Sequence, residues 1–178
     1  MSTAQLAPIR ILLVGMMGSG KTTTGALLAR RLGWSFLDSD AEIEKATGKT
    51  VPEILEESGE PAFRAEEKAV LEAALSIEHS VVAVAGGAVL DSDSAEKISA
   101  SGLVVWLRAD PETLARRVGD GRGRPLLGND PGQALRRLDA VRRPLYEALA
   151  SIVVDVDDLA PAAVAAAVVD LLQVGEAP

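Results

Sequence analysis

The sequence predicts an α/β fold in three layers, with a central parallel sheet of about five strands covered by helices on both faces. Short continuous apolar runs, the pattern of strands buried on both sides, recur along the 178 residues. Segments with helical spacing fill the intervals, and strand–helix alternation favours parallel pairing. The composition is 48% apolar but only 3% aromatic, which suits helix–sheet packing by Ala, Val and Leu. This length supports a single domain over residues 1–178, with frayed ends expected at 1–8 and 174–178.

The first strand is residues 10–15, Arg-Ile-Leu-Leu-Val-Gly, apolar until the glycine stops it. A helix over 21–32 follows, because Leu27, Leu28 and Leu32 fall on adjoining faces and Gly33 is placed to close it. Residues 35–37 form a second strand, stopped by Asp38-Ser39-Asp40, whose short polar side chains also cap a helix running through 43–47. Proline is tolerated in a first helical turn, so Pro52 marks a shorter helix, and a longer one covers about 61–77. Residues 81–85 are the next strand, broken by Gly86-Gly87, and 103–107 and 152–156 complete the set. The last helix starts near Pro161. Between them, 119–131 is rich in glycine and arginine, with two prolines, and reads as a mobile lid.

Several function classes are excluded by composition. Without cysteine there is no disulfide, thiolate metal site or cysteine nucleophile. His79, the sole histidine, reads as a solvated loop residue, which leaves little room for zinc or a histidine base. The first residues lack the pattern of a signal peptide, and no segment approaches the roughly 20 apolar residues that span a bilayer. A soluble, cytoplasmic protein is expected. The net charge of −8 argues against a nucleic-acid partner. From Arg108 to Arg143, however, nine arginines and no lysine give a local balance of +4, leaving −12 elsewhere. Arginine used without lysine favours bidentate binding of phosphate or carboxylate, so the segment is suited to small anions. No apolar stripe marks an interface, and a monomer is expected.

The strongest signal is Gly15-Met16-Met17-Gly18-Ser19-Gly20-Lys21-Thr22, which matches Gly-x-x-x-x-Gly-Lys-Ser/Thr between a strand and a helix start. Glycines let the backbone curl so that N–H groups face phosphate oxygens, and the helix N-terminus adds its positive end. Gly18, Ser19, Gly20, Lys21, Thr22 and Thr23 are therefore candidate nucleotide contacts, with Lys21 reaching the outer phosphates and Thr22 holding magnesium. An Asn-Lys-x-Asp guanine-reading motif is absent, which removes the GTPase reading. Small size and an arginine-rich late segment favour a kinase whose lid keeps water from the γ-phosphate.

Five further clusters follow: Asp38-Ser39-Asp40, Gly59-Glu60-x-x-Phe63-Arg64-x-x-Glu67, Gly86-Gly87-Ala88-Val89, Arg124-Pro125-Leu126-Leu127 and Arg142-Arg143-Pro144-Leu145-Tyr146. In this order and spacing they resemble the shikimate kinase family, from Ile11 to about Pro161. The resemblance implies a three-layer P-loop kinase fold, ATP and Mg2+ as cofactors, and transfer of the γ-phosphate to the 3-hydroxyl of shikimate, on the route to chorismate and the aromatic amino acids. It implies that Asp38 helps hold magnesium and that Asp40 binds the reacting hydroxyl, as a base or as an orienting group. Arg64 and Arg142 then clamp the substrate carboxylate, with Glu67 one turn beyond Arg64 to fix its guanidinium. Gly86 and Gly87 allow close approach of the ring, Arg124 reaches the transferring phosphate, Arg117 stacks on adenine, and Pro161 lies where the adenine loop passes.

Plainer readings stand beside these. Asp38 and Asp40 would serve as helix caps, Arg64 as a surface ion pair with Glu60 or Glu67, and one of Arg142 and Arg143 as a solvated helix residue. Arg116, Arg122, Arg136 and Arg137 read as surface charge, Met16 and Met17 as loop filler, and Trp34 and Trp106 as packing residues. The chain departs from the family at Ala85, where a third glycine is usual, and at Asp157-Asp158, where relatives often carry basic residues. The first departure would narrow the acceptor pocket or be absorbed by a small shift, and the second would weaken nucleotide affinity or alter base preference. Two alternatives share the phosphate loop: a kinase for another hydroxy acid such as gluconate, and a nucleotide-binding domain without turnover.

Overall fold

The computed structural model describes residues 9–174. Strands β1 (Arg10–Val14), β2 (Ser35–Asp38), β3 (Ser80–Ala83), β4 (Leu103–Arg108) and β5 (Ile152–Asp155) form one sheet, ordered β2-β3-β1-β4-β5 and parallel at every pairing. Helices α1 (Lys21–Leu32), α2 (Ser39–Thr47), α3 (Val51–Leu75), α4 (Ser92–Ser101), α5 (Pro111–Val118), α6 (Pro131–Leu149) and α7 (Pro161–Val174) connect and flank them. The expected frayed ends lie outside the described residues, apart from Val174, which closes α7.

The central strands are continuous apolar runs because both their faces are covered. Ile11, Leu12 and Leu13 have no exposed surface. On one side α1 packs against α7; on the other α4 and α6 touch each other and β4. Three of the expected strands end one or two residues late, since Gly15, Val84, Ala85 and Val156 lie beyond the ladder, while β2 and β4 each run one residue further than expected, to Asp38 and Arg108. Val84 and Val156 each keep one bond to it, donating to the Leu13 and Arg108 carbonyls. Gly15, at φ 143, turns the chain out.

Strand order reverses at β1, whose carboxyl end lies between those of β3 and β4. Open α/β sheets bind ligands at such a switch point. The fragments the sequence marked leave the sheet here: the phosphate loop after β1, Asp38 at the end of β2 and the glycine pair after β3.

The two helices expected near Pro52 and Pro61 run on as α3, broken at Gly59 by φ 79 and ψ 173. Thr50 and Glu53 form a capping box at its start, which satisfies the first N–H groups, and the helix stops at Leu75 rather than at 77. Ile43, Ile54 and Phe63 make a small apolar cluster of their own between α2 and α3, apart from the main core. Trp106 is buried in that core, and Trp34 packs against it. His79 is an exposed loop residue at φ 51 lying edge-on to Trp34, as expected for a group outside any site.

Candidate active site

The phosphate loop takes its shape from glycines where a side chain would not fit. Gly15, Gly18 and Gly20 all have positive φ. A Cβ on Gly15 would lie 2.7 Å from the Leu107 carbonyl oxygen, a backbone atom with little freedom to move. Gly20 caps α1 in the left-handed conformation without a side-chain bond, so the first N–H groups of the helix remain open to an anion. The Ser19 hydroxyl is buried and has no hydrogen-bond partner among the described residues. Lys21 Nζ folds back to donate to the Gly15 and Met16 carbonyls, at 2.8 and 3.1 Å. Burial lowers its pKa to about 8, against the pull of Asp40 and Asp38.

Asp38 does cap a helix, as its plainer reading expected, and it also reaches Thr22. One carboxylate oxygen caps α2, accepting from the Asp40 and Ala41 N–H groups, while the other accepts from the Thr22 hydroxyl at 2.6 Å. Asp40 is not a cap; it stands in the first turn of α2 and opens on the cavity. Desolvation by the surrounding protein, with Asp38 close by, raises its carboxyl above the usual value, and Lys21 opposes that rise.

Arg64 donates to Glu67 at 2.8 Å and to Glu60 at 3.2 Å, so its ion pairing and its place in the cavity wall coexist. Burial raises the Glu67 carboxyl, partly offset by Arg64. Arg142 and Arg143, told apart in sequence only through the family resemblance, diverge by the helical turn of α6. Arg142 lines the cavity, 2% exposed, with its Nε unpartnered among the described residues. Arg143 is held by Asp139 and the Ala109 carbonyl and lies over the Trp106 ring, so it is a packed latch and not a solvated residue.

Gly86 and Gly87 leave room for these arginines. A Cβ on Gly87 would meet Arg64 Nη1 at 2.6 Å, and one on Gly86 would meet Arg142 Nη1 at 3.2 Å. The close approach expected from a ligand is thus already made by the protein's own guanidinium groups. Ala85 is buried in the same wall, and its carbonyl accepts from Ala88.

Arg117 donates to the carbonyls of Gly18, Val156 and Asp157, joining the phosphate loop to the loop after β5. Asp157 does not face that guanidinium with its carboxylate; Oδ1 accepts from the Asp110 N–H at the start of α5. Burial would raise its carboxyl, but bonds from Asp110 and Thr113 outweigh this and hold it below the usual value. Arg124 lines the cavity from the 119–131 segment, which is exposed along most of its length and anchored by buried Leu127.

The cavity has a volume of about 490 Å3, within the range of small-ligand sites. It brings together Gly18, Gly20, Lys21, Thr22, Thr23, Asp38, Asp40, Arg64, Gly86, Gly87, Arg117, Arg124 and Arg142. Ser19 lies buried behind this wall, and Pro161 stands outside it as the first residue of α7. Met17 lines the cavity and is more than loop filler; Glu44, Val51 and Leu55 line it as well, without having been singled out, as do Pro52 from the start of α3 and Leu126 from the Arg124–Leu127 cluster. Helical spacing was the available signal for Glu44, one turn after Asp40. Arg116, Arg122, Arg136 and Arg137 are surface residues, as expected.

A family model described as shikimate kinase matches residues 17–173. A shikimate kinase of Streptomyces avermitilis is 42% identical over 168 residues, spanning 94% of this chain and 98% of its own length. One from Parasynechococcus marenigrum is 48% identical over 162 residues, spanning 90% and 84%. The solved structure of shikimate kinase from Acinetobacter baumannii in complex with shikimate superposes with a TM-score of 0.93 at 38% identity, covering 98% of this chain and 97% of its own. Sequence and backbone agree along nearly the whole length, and the chain belongs to the shikimate kinase family.

Proposed function

We propose that this protein transfers the γ-phosphate of ATP to the 3-hydroxyl of shikimate, using magnesium, in the synthesis of chorismate and the aromatic amino acids. One observation carries the reading beyond family membership. A phosphate loop, a carboxylate with a raised pKa and two arginines suited to an acid line the same cavity.

The residues fit both ATP and magnesium. Hydroxyl and carboxylate oxygens on Thr22 and Asp38 are the hard donors that magnesium prefers. Among the described residues no cluster of three or more acidic, histidine or cysteine side chains would form an all-protein metal cage. Magnesium characteristically takes one or two carboxylates and completes its shell with phosphate and water. When bound, it neutralises charge on the outer phosphates. The open N–H groups of the loop, the Ser19 hydroxyl and Lys21 hold those phosphates. Arg117 borders the base, with the 156–161 loop beside it.

Arg64 and Arg142 bind the acceptor carboxylate, and the direction of two guanidinium forks fixes the ring. Asp40 holds the 3-hydroxyl and receives its proton, a modest demand in a loose phosphoryl-transfer transition state. Arg124 approaches with the lid and offsets charge on the transferring group. Lid closure excludes water, which separates a kinase from an ATPase. The protein acts as a cytoplasmic monomer, with no nucleic-acid or membrane partner; among the described residues no helix is long and apolar enough to cross a membrane.

Mass spectrometry and phosphorus NMR of products from shikimate, quinate and gluconate test the assignment. Phosphate on the shikimate 3-hydroxyl, with at least tenfold lower turnover of the others, is expected. Preference for gluconate would overturn it.

A further inference from the structure

The motif Arg142-Arg143-Pro144-Leu145-Tyr146 ends in a residue to which the reaction assigns nothing. Tyr146 lies on α6, one turn after Arg142, and has no exposed surface. Its ring tilts against Trp106, with centroids 5.9 Å apart. A phenylalanine would fill that space equally well. The hydroxyl therefore needs a reason, since burying one without a partner costs roughly 1–3 kcal/mol.

Its partner is a backbone group of the site. Tyr146 donates to the Gly86 carbonyl at 2.7 Å, and its oxygen lies 3.9 Å from Met16 Sδ in the phosphate loop. The Cβ position of Gly86 lies within 3.4 Å of three atoms from different parts of the site: Arg142 Nη1, the Gly15 carbonyl oxygen and the Tyr146 hydroxyl. Gly86 is thus the junction of the acceptor clamp, the phosphate loop and α6. A glycine pair has little conformational preference of its own, so its peptide planes are set by whatever bonds hold them. Fixing the Gly86 carbonyl on Tyr146 also fixes the Gly87 N–H of the same trans peptide, pointing the opposite way.

We propose that Tyr146 is a positioning residue for the acceptor: its hydroxyl locks the Gly86–Gly87 peptide and the adjoining Arg142 guanidinium in register with the phosphate loop. The proposal rests on the shikimate kinase reading and deepens it. Burial pushes the hydroxyl pKa up to about 12, so the donor proton stays in place over the whole working pH range.

Tyr146→Phe keeps the ring and removes only the hydroxyl. It is expected to raise KM for shikimate about tenfold while KM for ATP changes less than twofold. Val168→Ala, a buried change on α7 away from the site, supplies a matched destabilisation and is expected to leave both KM values unchanged. A second measurement needs no variant, because the chain has one tyrosine. Protein labelled with 13Cζ-tyrosine gives a single resonance from the carbon bearing the hydroxyl. Saturating shikimate is expected to shift it, because a carboxylate on Arg142 compensates the positive charge beside the phenol. Unchanged KM for shikimate in Tyr146→Phe, or a resonance unmoved by shikimate, would overturn the positioning role while leaving the kinase reading intact. A wild-type protein silent with shikimate in the same assay would overturn that reading, and the proposal with it.

Discussion

Lys21, half-buried, and Asp40, which opens on the cavity, are both shifted toward neutrality by the desolvation that the surrounding protein imposes, and this shapes the pH response. The kcat/KM profile reports groups of the free enzyme. Its basic limb should fall near pH 8, where Lys21 loses its charge, and its acid limb should lie above the usual carboxylate range, where Asp40 gains a proton. Measured pH profiles check both: Lys21→Arg removes the basic limb from what activity remains, and Asp40→Asn removes the acid one. The sign for stability is opposite to that of a paired lysine. The folded pKa is about 8 and the unfolded value 10.5, so the unfolded chain binds more protons between them and stability rises with pH there. Below about 8 the full penalty of the buried charge applies. Lys21→Met should therefore raise the melting temperature at pH 7, by less at pH 10, while turnover is lost.

At the level of elements, two loops hold the site and differ in how they are fixed. The glycine pair after β3 is pressed by Arg64, Arg142 and Tyr146. Gly87→Ala would push Arg64 Nη1 from 2.6 Å, and because a flexible side chain can yield, the loss should fall on the clamp. Kinetics should show KM for shikimate raised about tenfold, with stability changed by roughly 1 kcal/mol or less. The 119–131 segment is buried only at Gly121 and Leu127 and is exposed along most of the rest. Its amides should gain protection from hydrogen exchange when an ATP analogue and shikimate bind together; equal protection with and without ligands would count against a lid. Strand cores and helix α1 could be read from sequence because apolar runs and glycine stops are local signals. Strand ends could not, since whether Val84 or Val156 joins the ladder depends on where the neighbouring strand stops.

Across the whole molecule, β1 is the pivot. The main core buries it from both faces, while α2 and α3 carry a separate small cluster beside the cavity. The phosphate-loop motif spans the turn after β1 and the start of α1 in the large core, and Asp40 and Arg64 stand on the smaller pair of helices. The motifs could be found in the sequence because each is a short string with its own spacing. What joined them could not. The family resemblance chose Arg142 over Arg143, but the residues alone did not, and the physical reason is the packing of α6; Tyr146 has a buried hydroxyl whose partner is 60 residues away. Asp157 looked misplaced until α5 supplied an N–H for it.

The most direct test of the account is coupled ADP release with ATP and magnesium, with and without shikimate, in wild type and Arg64→Ala. The account predicts release that requires shikimate, with kcat/KM for shikimate reduced at least a hundredfold in the variant and KM for ATP little changed. Release that ignores shikimate, or an Arg64→Ala protein as efficient as wild type, would contradict it.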